Sequence, residues 1–189
     1  MMTLVIQPAI LTTQRLILRP WRESDREPFA RMNADPRVME FFAARLSREE
    51  SNTMVDRIET HFREHGFGLW AAELRRDGAF VGFVGLNIPS YQAPFTPCVE
   101  VGWRLAVEHW GQGLATEGAQ AVVSYGFQTF AFREIVATTV PPNMRSRRVM
   151  EKLGMTHDSV DDFEHPWLPE GHPLRRNVLY RLRRLDWQP

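Results

Sequence analysis

The chain has 189 residues, 43% of them hydrophobic, and its 23 Lys and Arg residues balance its 23 Asp and Glu residues. This length predicts one domain, residues 1–189, with a core of its own, and the neutral charge argues against nucleic acid or an anionic membrane as a partner. The single cysteine, Cys98, excludes an internal disulfide and is typical of a reducing cytoplasm.

The first segment predicts a short strand and a short helix. Met1 to Ile10 lacks the basic and apolar regions of a signal peptide, and no apolar run in the chain is long enough to span a membrane. Leu11 to Trp21 alternates apolar and polar residues, which predicts a strand. Ser24 and Asp25 then offer the N-cap of a short helical region.

A second helix is predicted from Ser47, which opens a capping box, to Gly66. It carries the pattern H-x-x-E-H from His61 to His65, which inverted zinc peptidases share. Such a zinc site needs a third ligand from a following helix, and strands follow here. A polar helix end is the favoured interpretation, and no metal is expected.

Strands and helices alternate through the remainder of the chain. Asp77-Gly78 predicts a hairpin turn between two strands, Phe67 to Leu74 and Ala79 to Ile88. The later predicted elements are a strand over Val99 to Val107, a helix after Gly113, a strand over Ile135 to Val140, a helix over Asn143 to Leu153, and closing strands over Met155 to Phe163 and Asn177 to Leu185.

A glycine-containing loop, Trp110 to Thr116, joins an apolar strand to a helix. Glycines permit a tight turn, and the unpaired N–H groups of the helix start point towards the same place, which predicts a phosphate-binding site. The only lysine of the chain is Lys152, so the loop is not a P-loop. Thr116 occupies the sixth position of G-x-G-x-x-G, so the dinucleotide fingerprint also fails.

Two motifs in this half resemble motifs A and B of the GNAT N-acetyltransferases. The loop pattern [RQ]-x-x-G-x-[GA] is matched from Trp110 to Ala115 except at its first position, where Trp110 is similar to the branch that contains the ribosomal-protein N-terminal acetyltransferases. The second pattern, N-x-x-S-x-[RK]-V-x-E-K-x-G, is matched by Asn143, Ser146, Arg148, Val149, Glu151, Lys152 and Gly154.

The resemblance implies an α/β (α+β) fold with a mixed, split central sheet of about six to seven strands flanked by helices. It also implies acetyl-coenzyme A as co-substrate, with its pyrophosphate on the loop and its pantetheine arm between two splayed parallel strands. The cofactor-binding residues that it implies are Leu105, Val107, Trp110, Gly111, Gln112, Gly113, Leu114, Ala115, Thr116, Asn143 and Ser146.

For catalysis, the resemblance points to Glu100 as the base that deprotonates an amine acceptor and to the N–H of Val107 as a donor to the oxyanion. Many relatives protonate the leaving thiolate with a tyrosine, but that position is Met150 here. Ser146 is the implied substitute. Glu100 as a strand-edge carboxylate paired with an arginine, and Ser146 as a helix-turn hydroxyl, are the alternatives.

The acceptor is not readable: a protein N-terminus, an amino acid, a polyamine or an antibiotic all fit, and the resemblance leaves a homodimer open. Phe41 and Phe42 either wall the acceptor site or belong to the core. Two other functions stay open, a non-catalytic acyl-coenzyme A-binding regulator and an interaction domain without cofactor. The polar loop from His157 to His172 is interpreted as an acceptor loop or dimer contact rather than a metal site.

Overall fold

A mixed nine-stranded sheet forms the centre of the protein, as seen in a computed structural model that describes residues 9–188. The expectation for Met1 to Ile10 falls almost wholly outside the described residues. The strands are β1 (Leu11–Thr12), β2 (Leu16–Arg19), β3 (Leu69–Leu74), β4 (Phe80–Asn87), β5 (Glu100–Leu105), β6 (Glu134–Thr139), β7 (Thr156–His157), β8 (Phe163–Glu164) and β9 (Arg176–Arg183). The helices are α1 (Arg26–Ala34), α2 (Arg48–His65), α3 (Leu114–Thr129) and α4 (Met144–Lys152).

The strand order is β1-β2-β3-β4-β5-β6-β9-β7, and β8 pairs with β9. All neighbours are antiparallel except β5 and β6, which are parallel and share the single register pair Glu100–Val136. The predicted fold class, a mixed split sheet flanked by helices, is confirmed. The strand count exceeds the expected six to seven because β1, β7 and β8 are strands of two residues each.

Helices cover the two faces of the sheet in different ways. Helix α3 lies close to the sheet, because a Cβ at Gly118 would meet Val84 Cγ2 at 3.1 Å and one at Gly126 would meet Leu86 Cδ1 at 2.9 Å. On the opposite face, Phe29 of α1 packs edge-on against Phe83, with ring centroids 6.1 Å apart. Successive side chains of β4 therefore point towards α3 and α1 in turn, and the side chains of β5 alternate in the same way.

Local signals predicted both ends of α2 and the β3–β4 hairpin turn correctly, whereas Ser24 and Asp25 lie in a 3-10 turn and neither side chain caps α1. Ser47 and Glu50 form the reciprocal capping box of α2, and Gly66 ends that helix in the left-handed conformation at φ 75°. Gly78 turns the β3–β4 hairpin at φ 73°. His61 does not point to a metal: its Nδ1 lies 2.9 Å from the Phe67 carbonyl oxygen, and its Nε2 accepts from a backbone N–H.

Three predicted strands differ from the structure. Leu11 to Trp21 is interrupted, because the Thr13 hydroxyl accepts a hydrogen bond from the N–H of Leu16 and closes a turn. Strand β5 ends at Leu105, and Val107 begins a 3-10 turn that extends to His109.

The predicted strand Met155 to Phe163 is broken for a similar reason. Asp158 accepts from the N–H of Val160 at 3.1 Å and caps a second 3-10 turn, Ser159 to Asp161. Short β7 and β8 remain on either side of the turn. Side-chain oxygens thus compete with the sheet for backbone N–H groups in these segments.

Candidate active site

A cleft of about 340 Å³ opens where β5, the loop before α3, the helix α4 and the segment after α1 meet. Among the predicted cofactor-binding residues, those that line it are Leu105, Trp110, Gly111, Gly113, Leu114, Ala115, Thr116, Asn143 and Ser146. Val107, Gln112 and Glu100 are not on its wall. Phe41 and Phe42 both line it, which favours the acceptor-wall interpretation of these residues over the core interpretation.

The loop before α3 presents backbone donors that have no acceptor in the protein. Gly111 and Gly113 adopt φ angles of 71° and 79°, and α3 begins without a side-chain cap. Between Trp110 and Glu117, six consecutive N–H groups have no hydrogen-bond acceptor among residues 9–188. Such a concave row of N–H groups at a helix N-terminus binds anions.

Basic side chains surround this row of donors. Arg145, Arg148 and Lys152 line the cleft, and Lys152 also borders an adjoining groove of about 330 Å³. Arg15 holds the loop itself, since its Nη1 donates to the carbonyl of Gln112 at 2.8 Å. The Gln112 side chain turns back to the Glu108 carbonyl at 2.9 Å, so it stabilises the loop and does not face the cleft.

Strands β5 and β6 separate beyond their one register pair, and Leu105 lies at the open end. The Ala106 N–H bonds to the Val81 carbonyl of β4, so the peptide groups of Leu105 point away from β4 and into the split. The Leu105 carbonyl accepts from the Trp110 indole at 2.8 Å. The Leu105 N–H is consequently the strand donor at the split, whereas Val107 lies beyond the strand end.

Asn143 and Ser146 form the start of α4. The Asn143 Oδ1 accepts from the Ser146 N–H at 3.2 Å and caps the helix, while its Nδ2 donates to the Thr139 hydroxyl at 3.0 Å. The Ser146 hydroxyl accepts from the same Nδ2 at 3.2 Å, so its own proton stays available to a group in the cleft. Met150, at the usual tyrosine position, is 2% exposed and belongs to the core.

Glu100 lies half-buried at the base of the split. Its carboxylate accepts a hydrogen bond from the Thr138 hydroxyl of β6, and no arginine within residues 9–188 forms an ion pair with it. Burial raises the pKa of Glu100 above its usual value, although the bond from Thr138 opposes that rise. Burial and the nearby Glu100 raise the pKa of Cys98 to about 12, so this thiol stays protonated and is a poor nucleophile.

Arg104, next to Leu105, was not predicted as a site residue. It lines the cleft, although it is only 9% exposed. The sequence held one signal, an arginine within the apolar strand Val101 to Leu105, because arginine is rarely buried without a partner.

No group of three or more His, Cys, Asp or Glu side chains arranged to hold a metal occurs within residues 9–188. The same part of the chain holds no helix with the length and apolarity needed to cross a membrane. What the cleft does offer is an anion site at a helix start, continuous with a split between parallel strands that exposes one strand N–H. These features suit an elongated ligand that carries phosphate at one end.

Comparison with known proteins gives the family. Residues 15–156 match the acetyltransferase (GNAT) domain, so the chain belongs to the GNAT acetyltransferases. The FsC-acetyl coenzyme A-N(2)-transacetylase of Aspergillus fumigatus is 33% identical over 98% of this chain and 80% of that protein. YkkB of Bacillus subtilis, an uncharacterised protein, is 34% identical over 79% of this chain and 87% of its own length.

A solved acetyltransferase from Agrobacterium tumefaciens has the same fold. Its TM-score is 0.74 at 27% sequence identity, with 93% of this chain and 94% of that chain covered. The predicted acyltransferase activity is therefore confirmed at the level of the family.

Proposed function

We propose that the protein transfers the acetyl group of acetyl-coenzyme A to a primary amine, by direct attack of the amine within a ternary complex. The observation that carries this proposal is the row of six N–H groups without acceptors from Gly111 to Thr116, at the mouth of the cleft. A pyrophosphate supplies the negative oxygens that such a row requires. The name of the A. fumigatus relative, which specifies acetyl-coenzyme A and a nitrogen, supports this choice.

In this proposal the coenzyme extends from the loop into the split. Arg145, Arg148 and Lys152 add positive charge around the phosphates, and the Leu105 N–H pairs with the pantetheine arm or the thioester carbonyl. Leu105 thus takes the role expected of Val107, because β5 ends before Val107.

Trp110 and Asn143 act by fixing the walls of the cleft. The Trp110 indole ties the anion loop to β5 through the Leu105 carbonyl, and its ring lies 4.3 Å below the guanidinium carbon of Arg145. The Asn143 side chain bonds to Thr139 of β6 and to Ser146 of α4, so it positions Ser146 rather than the coenzyme directly. Trp110 at this position also supports a place near the ribosomal-protein branch of the family.

The reaction needs a neutral amine and a protonated leaving group. The amine nitrogen forms a bond to the thioester carbonyl carbon, the carbon–sulfur bond breaks, and the products are the acetylated amine and coenzyme A. Glu100 accepts the proton that the amine loses, through a water because its carboxylate is not on the cleft wall. Burial raises the pKa of Glu100 towards neutral pH, which suits a general base. Ser146 donates a hydrogen bond to the departing thiolate.

The test is a panel of amines incubated with acetyl-coenzyme A, with free thiol and acetylated product measured together. We expect equal amounts of thiol and product with at least one amine, and a complex of amine, protein and coenzyme A detectable by native mass spectrometry. Tight coenzyme binding without acetylation of any amine would instead favour the regulator that the sequence left open. Absence of coenzyme binding by calorimetry would exclude both.

A further inference from the structure

Arg104 is a buried charge whose hydrogen-bonding capacity is mostly unused. Its Nη1 donates to Asn33 Oδ1 at 2.7 Å, but its buried Nε has no partner. No carboxylate within residues 9–188 forms an ion pair with it, and Nη2 has no hydrogen bond there. The guanidinium carbon lies 4.0 Å from the Phe42 ring centre and 5.5 Å from that of Phe83, so aromatic faces hold it in place.

This arrangement is costly unless an anion completes it. Burial lowers the pKa of Arg104 to about 10, which still leaves the side chain charged at neutral pH. A buried charge without a counter-ion destabilises a fold, and the donors that remain unpaired point to a ligand with negative oxygens. The fork of an arginine matches the two oxygens of a carboxylate.

The neighbouring residues show where such a ligand would lie. Side chains alternate along a strand, so Glu100, Gly102 and Arg104 share one face of β5. A Cβ at Gly102 would meet nothing within 4 Å, so the face is open between the two charged side chains. Four residues of strand place the Cα atoms of Glu100 and Arg104 about 13 Å apart.

We propose that the amine acceptor also carries a carboxylate, which Arg104 binds through its unpaired Nε and Nη2 donors. The acceptor lies over Gly102, with its amine directed towards Glu100 and the thioester. This inference rests on the proposed function and narrows it to small amines of the amino-acid type. The atoms that react are unchanged: the nitrogen gains the acetyl group, and the carboxylate only orients the acceptor.

The experiment compares matched acceptors, amino acids of increasing chain length against their carboxamides and the corresponding decarboxylated amines. For the wild type we expect kcat/KM to be about 10- to 100-fold higher with the carboxylate, as charge-assisted hydrogen bonds allow. Arg104→Gln should remove that preference and leave kcat/KM for the carboxamide within about threefold, a factor small beside that of a charged hydrogen bond. Arg104→Lys should restore part of it, since it keeps the charge but not the fork.

Arg31→Gln is the matched control, because Arg31 lies exposed on α1 and, among the described residues, pairs only with Glu27 at the surface. It should leave both acceptor classes unchanged. The folding of Arg104→Gln is checked by circular dichroism and by its affinity for acetyl-coenzyme A, which should equal that of the wild type.

Failure of this inference and failure of the proposed function give different results. Acetylation of carboxamides or decarboxylated amines in preference to carboxylates, unaffected by Arg104→Gln, would overturn the carboxylate site alone. Acetylation of no amine would overturn the proposed function. In that case calorimetry with amino acids tests the carboxylate site. Amino-acid binding by the wild type that is lost in Arg104→Gln would support the site. No binding by the wild type, or equal binding by both proteins, would overturn it.

Discussion

Two buried arginines of this protein have opposite surroundings. Arg19, 4% exposed, uses all three guanidinium nitrogens: two bond to Asp25 at 2.7 and 2.8 Å, and Nε bonds to Glu73 at 2.7 Å. Within residues 9–188, Arg104, which is 9% exposed, donates to a single oxygen, Asn33 Oδ1, and the same nitrogen lies 4.0 Å from Met54 Sδ. Burial alone would lower the pKa of Arg19, but the bonds to Asp25 and Glu73 raise it, whereas nothing offsets burial at Arg104.

Two helix starts differ in the same way. The N-terminus of α2 is closed by the Ser47–Glu50 capping box, and that of α3 is open after Gly113. In each of these two pairs, the scaffold member has its partners within the protein and the cleft member lacks them among residues 9–188. Unpaired polar groups that line a cleft indicate where a ligand binds.

The largest expected difference concerns stability. Arg19→Met should lower the free energy of unfolding by about 3–5 kcal/mol, because it leaves Asp25 and Glu73 buried with too few donors. Arg104→Met should lower it less, by about 1–3 kcal/mol, because it removes a charge that has no counter-ion but leaves the buried Asn33 Oδ1 without its donor. Urea denaturation of both variants measures the difference. Equal losses would show that Arg104 is a scaffold residue like Arg19.

The next contrast is between two carboxylates, Glu73 and Glu100. Glu100→Gln should lower kcat by roughly 10²-fold or more, as expected when a general base is lost, with the affinity for acetyl-coenzyme A unchanged. The acidic limb of its pH–rate profile should shift or vanish. Glu73→Gln should destabilise the fold and leave kcat of the folded protein intact. A kcat for Glu100→Gln within about threefold of wild type, far from the loss of a base, would remove Glu100 from the mechanism.

A smaller effect separates the two helix starts. Gly113→Val should weaken acetyl-coenzyme A binding by at least about tenfold, because a β-branched residue is strained at φ 79° and obstructs the approach of an anion. Ser47→Ala should cost about 1 kcal/mol of stability, as for other lost N-caps, without changing that affinity. Calorimetry and thermal unfolding of both variants give the comparison. Unchanged binding in a folded Gly113→Val protein would place the pyrophosphate elsewhere.

The smallest expected effect is on the pH dependence of stability. Because burial raises the pKa of Glu100 in the folded state, the folded protein holds this proton more tightly than the unfolded chain does. Stability from this group is therefore present below the unfolded value of about 4.3 and is lost as pH rises through the folded pKa.

As pH rises from the unfolded pKa of Glu100 to its folded pKa, the stability of Glu100→Gln relative to the wild type should increase, and above the folded pKa this difference should stay constant. Urea midpoints of the two proteins at several pH values test this. A difference that stays flat with pH would mean that the carboxylate is as well solvated in the folded state as in the unfolded chain.

The sequence predicted features whose partners lie nearby in the chain. Ser47 and Glu50 cap one another across three residues, and the left-handed glycines of the anion loop follow from their own backbone freedom. It could not show features made by distant elements. Thr138 lies 38 residues from Glu100, and Asn33 lies 71 residues from Arg104.

The strand predicted from Val99 to Val107 extends beyond the observed end of β5 at Leu105. Val107 is apolar and follows the pattern of β5, but the chain turns there, because the N–H groups of His109 and Trp110 bond to the carbonyls of Ala106 and Val107. A pattern of apolar residues does not encode where such a turn begins.

The open loop before α3 also has a kinetic consequence. Backbone amides without acceptors exchange their hydrogens with solvent far faster than those within helices and sheets. The amides from Gly111 to Thr116 are therefore the fast-exchanging segment between two protected ones, the strand β5 and the body of α3. If the pyrophosphate binds there as proposed, each amide that donates to a phosphate oxygen should exchange more slowly, and hydrogen exchange would then report ligand occupancy residue by residue.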